Sequence, residues 1–369
     1  VNATALTGSP SVLGVFDFWF SGVGGASTQL TVVTTSDGEI YSLDSSGVAT
    51  NIRGAATWTT GAIPVFAQAR DLLTFWNDQG DPPLKWNQTG NVALLGGSPP
   101  SAKTAVYHIN RLWAANTNAN PSRLFYSSSI SVEDWTGPDT GSIDIDPEDG
   151  DRIIGIVSHH KRLIVFKGPY RGSIHIIEGS APTGSDAFIR RPAIRGLALQ
   201  SANGWCQVSD DIWFASADGI HSLETTQRFG DFKESSLTRF LHKFFREDIT
   251  RSRMNAVWAV DYKEQGCALF TFTQASTSVN DLVLGLSYTR LPEGEPEKPF
   301  VWLRSCQSAA IRINPTTLRR EVVFGDNAGF LNRQDTSTRV LANGNAYTMR
   351  ILTPAVILGA ADRAGVVRA

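Results

Sequence analysis

The sequence repeats one plan, in which three short strand-like runs are separated by turn residues. Its clearest copy lies at residues 143–179, where an acidic turn precedes the runs IIGIV, RLIVF and SIHII. Short apolar runs bounded by Gly, Pro, Asn, Asp and Ser are typical of β-strands. Because the plan recurs along the chain, it restricts the fold more than any single segment does.

Seven copies of this plan predict the architecture. Their third runs lie 40 to 64 residues apart, at Ile40, Leu84, Leu124, Ile174, Ile220, Leu284 and Phe330. A period of about 40–50 residues with several strands per repeat is typical of a β-propeller. One such meander exposes both faces, and radial stacking covers them. We therefore predict an all-β fold, a β-propeller of six or seven blades; the alternative is ordinary β-meanders in a sandwich or in two domains.

The domain organisation follows from the same pattern. Residues 1–342 are predicted to form the propeller, with an amphipathic helix inserted near residues 234–247. Its sequence, SLTRFLHKFFRE, places five apolar residues on one helical face: Leu237, Phe240, Leu241, Phe244 and Phe245. This helix is expected to pack on the side of the propeller as structural filler, or alternatively to dock a neighbouring subunit. Residues 343–369 are predicted to be a C-terminal β segment that closes the ring or starts a platform domain. Residues 96–103 and 288–299 are expected to be loops.

Charge and cysteine usage exclude several classes of protein. The chain has 33 basic and 35 acidic residues, so no global basic field drives DNA binding. Cys206, Cys267 and Cys306 are far apart and lie in apolar or strand-like settings, which predicts reduced, buried thiols rather than a zinc site. The apolar run at residues 355–361 is too short to span a bilayer, so we expect a soluble protein. A chain that starts at Val1 is expected to have been trimmed or processed.

No catalytic motif is found, and we predict that the protein is not an enzyme, with no catalytic, cofactor-binding or metal-binding residues. G-x-S-x-G, H-E-x-x-H and the P-loop pattern are absent. His159 and His160 are predicted to lie in a solvated turn, whereas His108, His175 and His221 lie among apolar neighbours in strands. The acidic turn at residues 144–151 is predicted to be a solvated connection between blades. Its spacing is not that of an EF-hand, and calcium binding remains the alternative.

The ten tryptophans raise the possibility of sugar binding. Five of them lie inside strand runs, which predicts packing between blades: Trp76, Trp86, Trp113, Trp213 and Trp258. Trp135, in the loop-like VEDWTGPDTG, is the best candidate for an exposed stacking surface. Two small groups of arginines are predicted to lie on solvated strand faces: residues 190, 191 and 195, and residues 312, 319 and 320. Aromatic residues do not alternate with them, as they do in proteins that bind single-stranded nucleic acid.

Three segments in order resemble a known family. Residues 111–137, RLWAANTNANPSRLFYSSSISVEDWTG, resemble a strand pair followed by a turn that ends in an acidic residue and Trp. Residues 146–179 follow with an acidic-Gly turn, an I-x-x-I strand, the LIVFK strand and a closing strand. Residues 218–245 are similar to a blade strand followed by an FGD-type turn and a helix. The family is that of the tail nozzle proteins of short-tailed bacteriophages, also called packaged-DNA stabilisation or tail tubular B proteins.

This resemblance implies a function. Family members carry a β-propeller with β-rich platform segments, and six copies form a ring below the portal and adaptor. The ring extends the DNA channel, helps to retain the packaged genome and to control its ejection, and carries tail fibres or spikes. The resemblance therefore implies a hexameric structural protein of the virion, made in the bacterial host cytoplasm, that passes double-stranded DNA without sequence specificity. It covers residues 111–245 well and the rest only through the blade pattern.

Two other functions remain open from the sequence. A glycan-binding propeller, lectin-like or receptor-binding, is favoured by the tryptophans. A propeller glycosidase would need paired carboxylates that converge on the central channel. The non-enzymatic tail nozzle subunit is our leading interpretation.

Overall fold

The protein is a seven-bladed β-propeller. A computed structural model describes residues 5–21, 27–191, 194–223, 236–288, 299–314, 316–334, 348–350, 357–358 and 365–366. Each blade is an antiparallel sheet whose strands follow one another in chain order from the central channel outward. The predicted all-β propeller is confirmed, and the number of blades is seven.

Blades 1 to 3 each have four strands. In chain order these strands are β1 (Val12–Ser21), β2 (Ser27–Thr35), β3 (Ile40–Leu43), β4 (Ala49–Asn51), β5 (Pro64–Ala69), β6 (Leu72–Asn77), β7 (Leu84–Trp86), β8 (Ala93–Leu94), β9 (Ala102–His108), β10 (Arg111–Thr117), β11 (Arg123–Tyr126) and β12 (Gly141–Asp144).

Blades 4 and 5 follow the same plan. In blade 4, β17 pairs with β15 beside β16, and blade 5 has three strands. Their strands are β13 (Arg152–His159), β14 (Arg162–Gly168), β15 (Ser173–Glu178), β16 (Ile189–Arg190), β17 (Ile194–Arg195), β18 (Trp205–Val208), β19 (Asp211–Ser216) and β20 (Gly219–Ser222).

Blades 6 and 7 complete the ring. Their strands are β21 (Ala259–Tyr262), β22 (Cys267–Thr273), β23 (Asn280–Ser287), β24 (Pro299–Leu303), β25 (Ser308–Ile313), β26 (Arg320–Gly325) and β27 (Leu331–Arg333). A later strand, β28 (Thr348–Arg350), pairs with β24 at the outer edge of blade 6, and β29 (Ile357–Leu358) pairs with β30 (Gly365–Val366). The separate role predicted for residues 343–369 stays a prediction.

Buried apolar side chains form seven clusters, one between each pair of adjacent blades. The five strand tryptophans belong to five of these clusters and are all buried, as predicted. Between blades 4 and 5 the corresponding contact is made by Phe166 and Phe214, whose ring centroids are 5.1 Å apart. Each blade therefore buries its faces against its two neighbours, as the repeat pattern requires.

Glycines allow the innermost strands to approach one another. Gly14 lies next to a bulge in β1, and a side chain there would come within 2.1 Å of Pro64 on β5. Gly155 has the equivalent position in β13, beside a bulge and against Leu199. A Cβ atom at Gly14 would collide with β5, and one at Gly155 would collide with the segment between blades 4 and 5.

The insertion after blade 5 differs from the predicted amphipathic helix. It contains a 3-10 turn at Arg239–Leu241 and a π-helical turn at Phe244–Asp248. Phe244 and Phe245 are buried, but Phe240 is 57 % exposed, so its predicted place on the buried face is wrong. Phe240 lies in the 3-10 turn, which has three residues per turn, and the chain then changes to a wider π-turn at Phe244. The α-helical i, i+4 spacing that would place both residues on one face therefore does not hold between them. Residues 224–235 lie outside the described part of the chain.

Two further short helices complete the described secondary structure: Arg251–Ala256 and Lys263–Gln265, both of the 3-10 type. Within the described ranges, no helix is long and apolar enough to cross a membrane. The predicted loop at residues 96–103 ends where β9 begins, at Ala102. The predicted loop at residues 288–299 falls mostly outside the described residues.

Candidate functional site

The central channel is where side chains from all seven blades meet. It has a volume of about 290 Å³ and is lined by the innermost strand of every blade. The lining is largely apolar, with Phe16, Phe66, Trp205 and Trp258 among alanine and β-branched side chains. The channel is therefore small and mostly apolar.

Asp17 is the one titratable residue in the described lining of the channel. Its carboxylate accepts hydrogen bonds from Gln29 Nε2 at 2.8 Å, Trp19 Nε1 at 3.0 Å and the backbone N–H of Ile313 at 3.1 Å. Burial raises the pKa of Asp17, although these hydrogen bonds oppose the shift. A glycosidase needs a second carboxyl group within about 5–10 Å of the first. The described channel wall supplies a single carboxylate whose hydrogen bonds serve the ring closure.

A smaller polar pocket forms one mouth of the channel. It has a volume of about 130 Å³ and shares Val65, Ala202 and Asn203 with the channel. Its other lining residues lie where the innermost strands begin or the second strands end, and include Lys103, Asn116, Arg152, Asp78, Gln200 and Asn255. The mouth therefore draws polar side chains from several blades.

The sequence analysis did not find this mouth. Its residues come from separate repeats, and each alone resembles an ordinary surface residue at a strand end. The available signal was a basic residue at or next to the start of the innermost strand in two consecutive repeats, Lys103 in β9 and Arg152 in β13.

The acidic turn at residues 144–151 connects blades 3 and 4, but it is not simply solvated. Asp149 accepts a hydrogen bond from Lys167 Nζ at 2.7 Å, and Lys167 is fully buried. Asp146 pairs with Arg190 at 2.7 Å, and this contact lowers the pKa of the Asp146 carboxyl. Arg195 lies 3.5 Å from the same carboxylate.

Asp151, at the end of this turn, is also buried. Its carboxylate accepts hydrogen bonds from the backbone N–H groups of Tyr170, Arg171 and Gly172, at 2.8–2.9 Å. Calcium needs carboxylate and carbonyl oxygens gathered around one point. In the described residues these carboxylates instead turn toward different cations and amides, and no group of three forms a metal site.

The histidines divide as the strand pattern predicts. His108, His175 and His221 are buried, and His159 and His160 lie at the turn between β13 and β14 with ring centroids 4.2 Å apart. His108 Nδ1 lies 2.8 Å from Ser158 Oγ, and His175 Nε2 lies 3.0 Å from Ser173 Oγ. Burial lowers the pKa of both His108 and His175 to about 4. Both are therefore neutral at physiological pH.

Trp135 is not the exposed surface that its loop predicted. It is half-buried and packs against Trp76 with ring centroids 6.3 Å apart, at an interplanar angle of 62°. Its indole N–H is buried and has no hydrogen-bond partner among the described residues. The ring belongs to the packing between blades 2 and 3 rather than to a free stacking platform.

The remaining candidate residues have structural positions. Cys206, Cys267 and Cys306 are free and buried, as predicted, and burial raises the pKa of the Cys206 and Cys306 thiols. Arg190 and Arg191 are surface residues that pair with Asp146 and Glu178. Arg312, expected to be solvated, is buried instead.

A buried arginine that the sequence analysis missed is Arg111. It pairs with Asp139 at 2.6 Å and lies 5.6 Å from the centroid of the Tyr126 ring. This ion pair lowers the pKa of Asp139 and ties the long β11–β12 connection to β10.

Comparisons with known proteins bear on the fold alone. No family model matches the chain, and no curated protein matches it. Among solved structures it is similar to U3-55K, with a TM-score of 0.46 and 10 % identity over 93 % of this chain and 96 % of that one. For YCF48 bound to D1 peptide, the TM-score is 0.47 and the identity is 10 %, over 91 % of this chain and 96 % of that one. For BamB from Moraxella catarrhalis, the TM-score is 0.42 and the identity is 12 %, over 89 % of this chain and 84 % of that one. The chain is a seven-bladed β-propeller.

Proposed function

We propose that this protein is a non-enzymatic structural subunit of a bacteriophage tail, of the nozzle type. The observation that carries the proposal is the resemblance of three sequence segments, in order, to that family. Residues 111–137, 146–179 and the described parts of 218–245 belong to blades 3, 4 and 5, in the same order as in the family's pattern. The FGD-type turn at residues 229–231 lies outside the described residues.

The size of the propeller channel bears on how such a subunit would act. A DNA duplex is wider than its major groove, which is about 12 Å across. The channel, by contrast, is a space of only about 290 Å³ that contains aromatic side chains. A duplex does not fit through one propeller. In the proposed assembly, DNA passes through the centre of a ring of six copies, and each propeller forms part of the wall.

The charge of the chain suits a wall past which DNA moves. Each phosphate contact made by Lys or Arg adds salt-dependent affinity, and many such contacts hold DNA tightly. The chain has a formal net charge of −2, and many of its arginines are paired with carboxylates, as in Arg123–Asp144 and Arg162–Glu178. A near-neutral wall allows DNA to be ejected.

Assembly is the direct test of this proposal. The purified full chain, alone and mixed with adaptor complexes, would be examined by light scattering and electron microscopy. The expected result is a six-fold ring on the adaptor, with a central opening wide enough for a duplex and no hydrolytic activity on glycan substrates. Monomers that never associate with the adaptor would contradict the proposal.

Glycan binding is the competing outcome of a second test. Trp135 is half-buried and packs against Trp76 between blades 2 and 3, so we expect no saturable binding on a glycan array. If the wild-type protein binds a glycan saturably and Trp135→Ala abolishes this binding under the same conditions, the glycan-binding function is favoured instead. Trp19→Ala, at a half-buried tryptophan in β1, is a control for general effects of losing an indole ring.

A further inference from the structure

The polar mouth of the channel contains two cations that form no ion pair with the described residues. Lys103 and Arg152 line the pocket, and neither forms an ion pair or a side-chain hydrogen bond with the described part of the chain. Many other cations are paired, such as Lys85 with Glu133, Arg111 with Asp139 and Lys167 with Asp149. The pocket is thus a place where positive charge is left uncompensated.

Asp78 is the only acidic residue among the described residues that line the pocket. One of its carboxylate oxygens, Oδ1, accepts a hydrogen bond from the backbone N–H of Ile63 at 2.8 Å. Its single negative charge balances one of the two cations. The lining therefore carries a net formal charge of +1.

Asn116 supplies a second and independent observation. It lines the pocket, is 6 % exposed and has a φ of 66°. Its carboxamide makes no hydrogen bond to any described residue, whereas the carboxamide of neighbouring Asn203 donates to the carbonyl of Pro64 at 2.8 Å. Buried polar side chains are ordinarily hydrogen-bonded. This carboxamide lines the cationic pocket and has no partner among the described residues, so it is available to a ligand there.

We propose that this pocket binds a small tetrahedral oxyanion of the phosphate class. Lys103 supplies a point charge, Arg152 supplies a fork of N–H donors, and the Asn116 carboxamide supplies an N–H donor from the buried wall. The pocket volume is about 130 Å³, which is enough for a phosphate or sulfate ion. The site is independent of the proposed assembly function.

The experiment measures the binding of inorganic phosphate to the full chain by calorimetry and by the thermal unfolding midpoint, at constant ionic strength. A ligand that binds only the folded state raises the midpoint in a saturable way. Sulfate is expected to compete, and acetate is expected to have no effect. Lys103→Met and Arg152→Met are each expected to weaken phosphate binding by about tenfold or more, because each removes a charge-assisted hydrogen bond.

The controls separate this site from general charge effects. Lys161→Met removes an exposed lysine at the opposite end of β13 and is expected to leave phosphate affinity unchanged. Asn116→Asp keeps the shape of the side chain and tolerates positive φ, but it adds a negative charge and is expected to abolish binding. Absence of a phosphate-dependent shift would overturn the proposal, as would full affinity in both Lys103→Met and Arg152→Met. Binding of acetate alone, or an equal loss in Lys161→Met, would also overturn it.

Discussion

The buried side chain of Lys167 fixes the connection between blades 3 and 4 through its hydrogen bonds. Lys167 is fully buried, and its Nζ donates to the carbonyl of Ile145 at 2.8 Å, to the carbonyl of Asp146 at 2.7 Å and to the carboxylate of Asp149 at 2.7 Å. All three donors of the ammonium group therefore have acceptors. A buried charge is tolerated only when its hydrogen bonds are made, so each partner depends on the others.

Replacing this lysine gives the first prediction. Lys167→Met keeps much of the side-chain volume but leaves Asp149 and two carbonyl groups without their donor. We expect the free energy of unfolding to fall by about 3–5 kcal/mol, the usual cost of breaking a buried ion pair from one side. Urea denaturation measures this change. Lys161→Met, at an exposed turn, is the matched control and is expected to change it by less than about 0.5 kcal/mol; equal midpoints for the two variants would contradict the prediction.

The buried histidines give a prediction about pH. Burial lowers the pKa of His108 and His175 to about 4, below the ordinary value of 6.5. His108 Nε2 and His175 Nδ1 are buried and have no partner among the described residues, so a second N–H there would lack an acceptor. Between pH 6.5 and 4 the unfolded chain therefore binds more protons than the folded one. The contribution of the neutral, buried His108 and His175 to the free energy of unfolding is complete above pH 6.5 and is lost as the pH falls toward 4.

The magnitude follows from proton linkage. For each unit that the pH falls within this window, each of the two histidines lowers the free energy of unfolding by up to about 1.4 kcal/mol. Urea midpoints measured at a series of pH values should fall from pH 7 toward pH 4. His108→Gln removes one of the two titrating groups and is expected to make the profile less steep, with the contribution of His175 remaining. His160→Gln, at an exposed turn, is expected to leave the profile as in the wild type. An unchanged profile in His108→Gln would refute this account.

Among the secondary-structure elements, the strands were the most predictable and the helical insertion the least. Runs such as RLIVF and CALFTFT are apolar on both faces because each blade is covered on both sides, and the sequence marks them clearly. The outermost strands were missed. β4 and β8 have only three and two residues, all exposed, so they carry no apolar alternation. Their pairing depends on the strand beside them rather than on their own composition.

The helical insertion gives the third prediction. Phe245 is buried at 1 % exposure against Phe272, with ring centroids 5.6 Å apart, whereas Phe240 is 57 % exposed. We expect Phe245→Ala to lower the free energy of unfolding by about 3–5 kcal/mol. Phe240→Ala is the matched control and should change it by less than about 0.5 kcal/mol. Thermal and urea unfolding compare the two, and similar losses would show that the predicted amphipathic face was correct after all.

At the scale of the whole molecule, the ring is closed by contacts between its first and last blades. Leu6 donates its backbone N–H to the carbonyl of Gly329 at 3.0 Å, and the hydroxyl of Ser308 donates to the carbonyl of Val12 at 2.8 Å. Gln29 donates to the carbonyl of Ile313 at 2.6 Å, and Ile313 in turn donates to Asp17. Described residues that are 284 to 323 positions apart in the chain thus complete the seventh interface.

The closing interface gives the fourth prediction. Leu6 is 4 % exposed and packs in the cluster between blades 7 and 1. We expect Leu6→Ala to lower the free energy of unfolding by about 2–5 kcal/mol. Amide hydrogen exchange should increase first in β1 and β25, because the weakened interface opens there. Leu318→Ala, on blade 7 but 75 % exposed, is the control; equal protection of β1 in both variants would contradict this closing role.

The sequence by itself determined the repeated sheets, the all-β propeller and the burial of the strand tryptophans. These features are local, since each apolar run carries its own pattern within a few residues. Only the tertiary structure decided that there are seven blades, that Phe240 faces outward and Trp135 packs inward, and that Lys103, Asn116 and Arg152 share one pocket. Those outcomes depend on contacts between segments tens to hundreds of residues apart, and such contacts leave no periodic pattern in the chain.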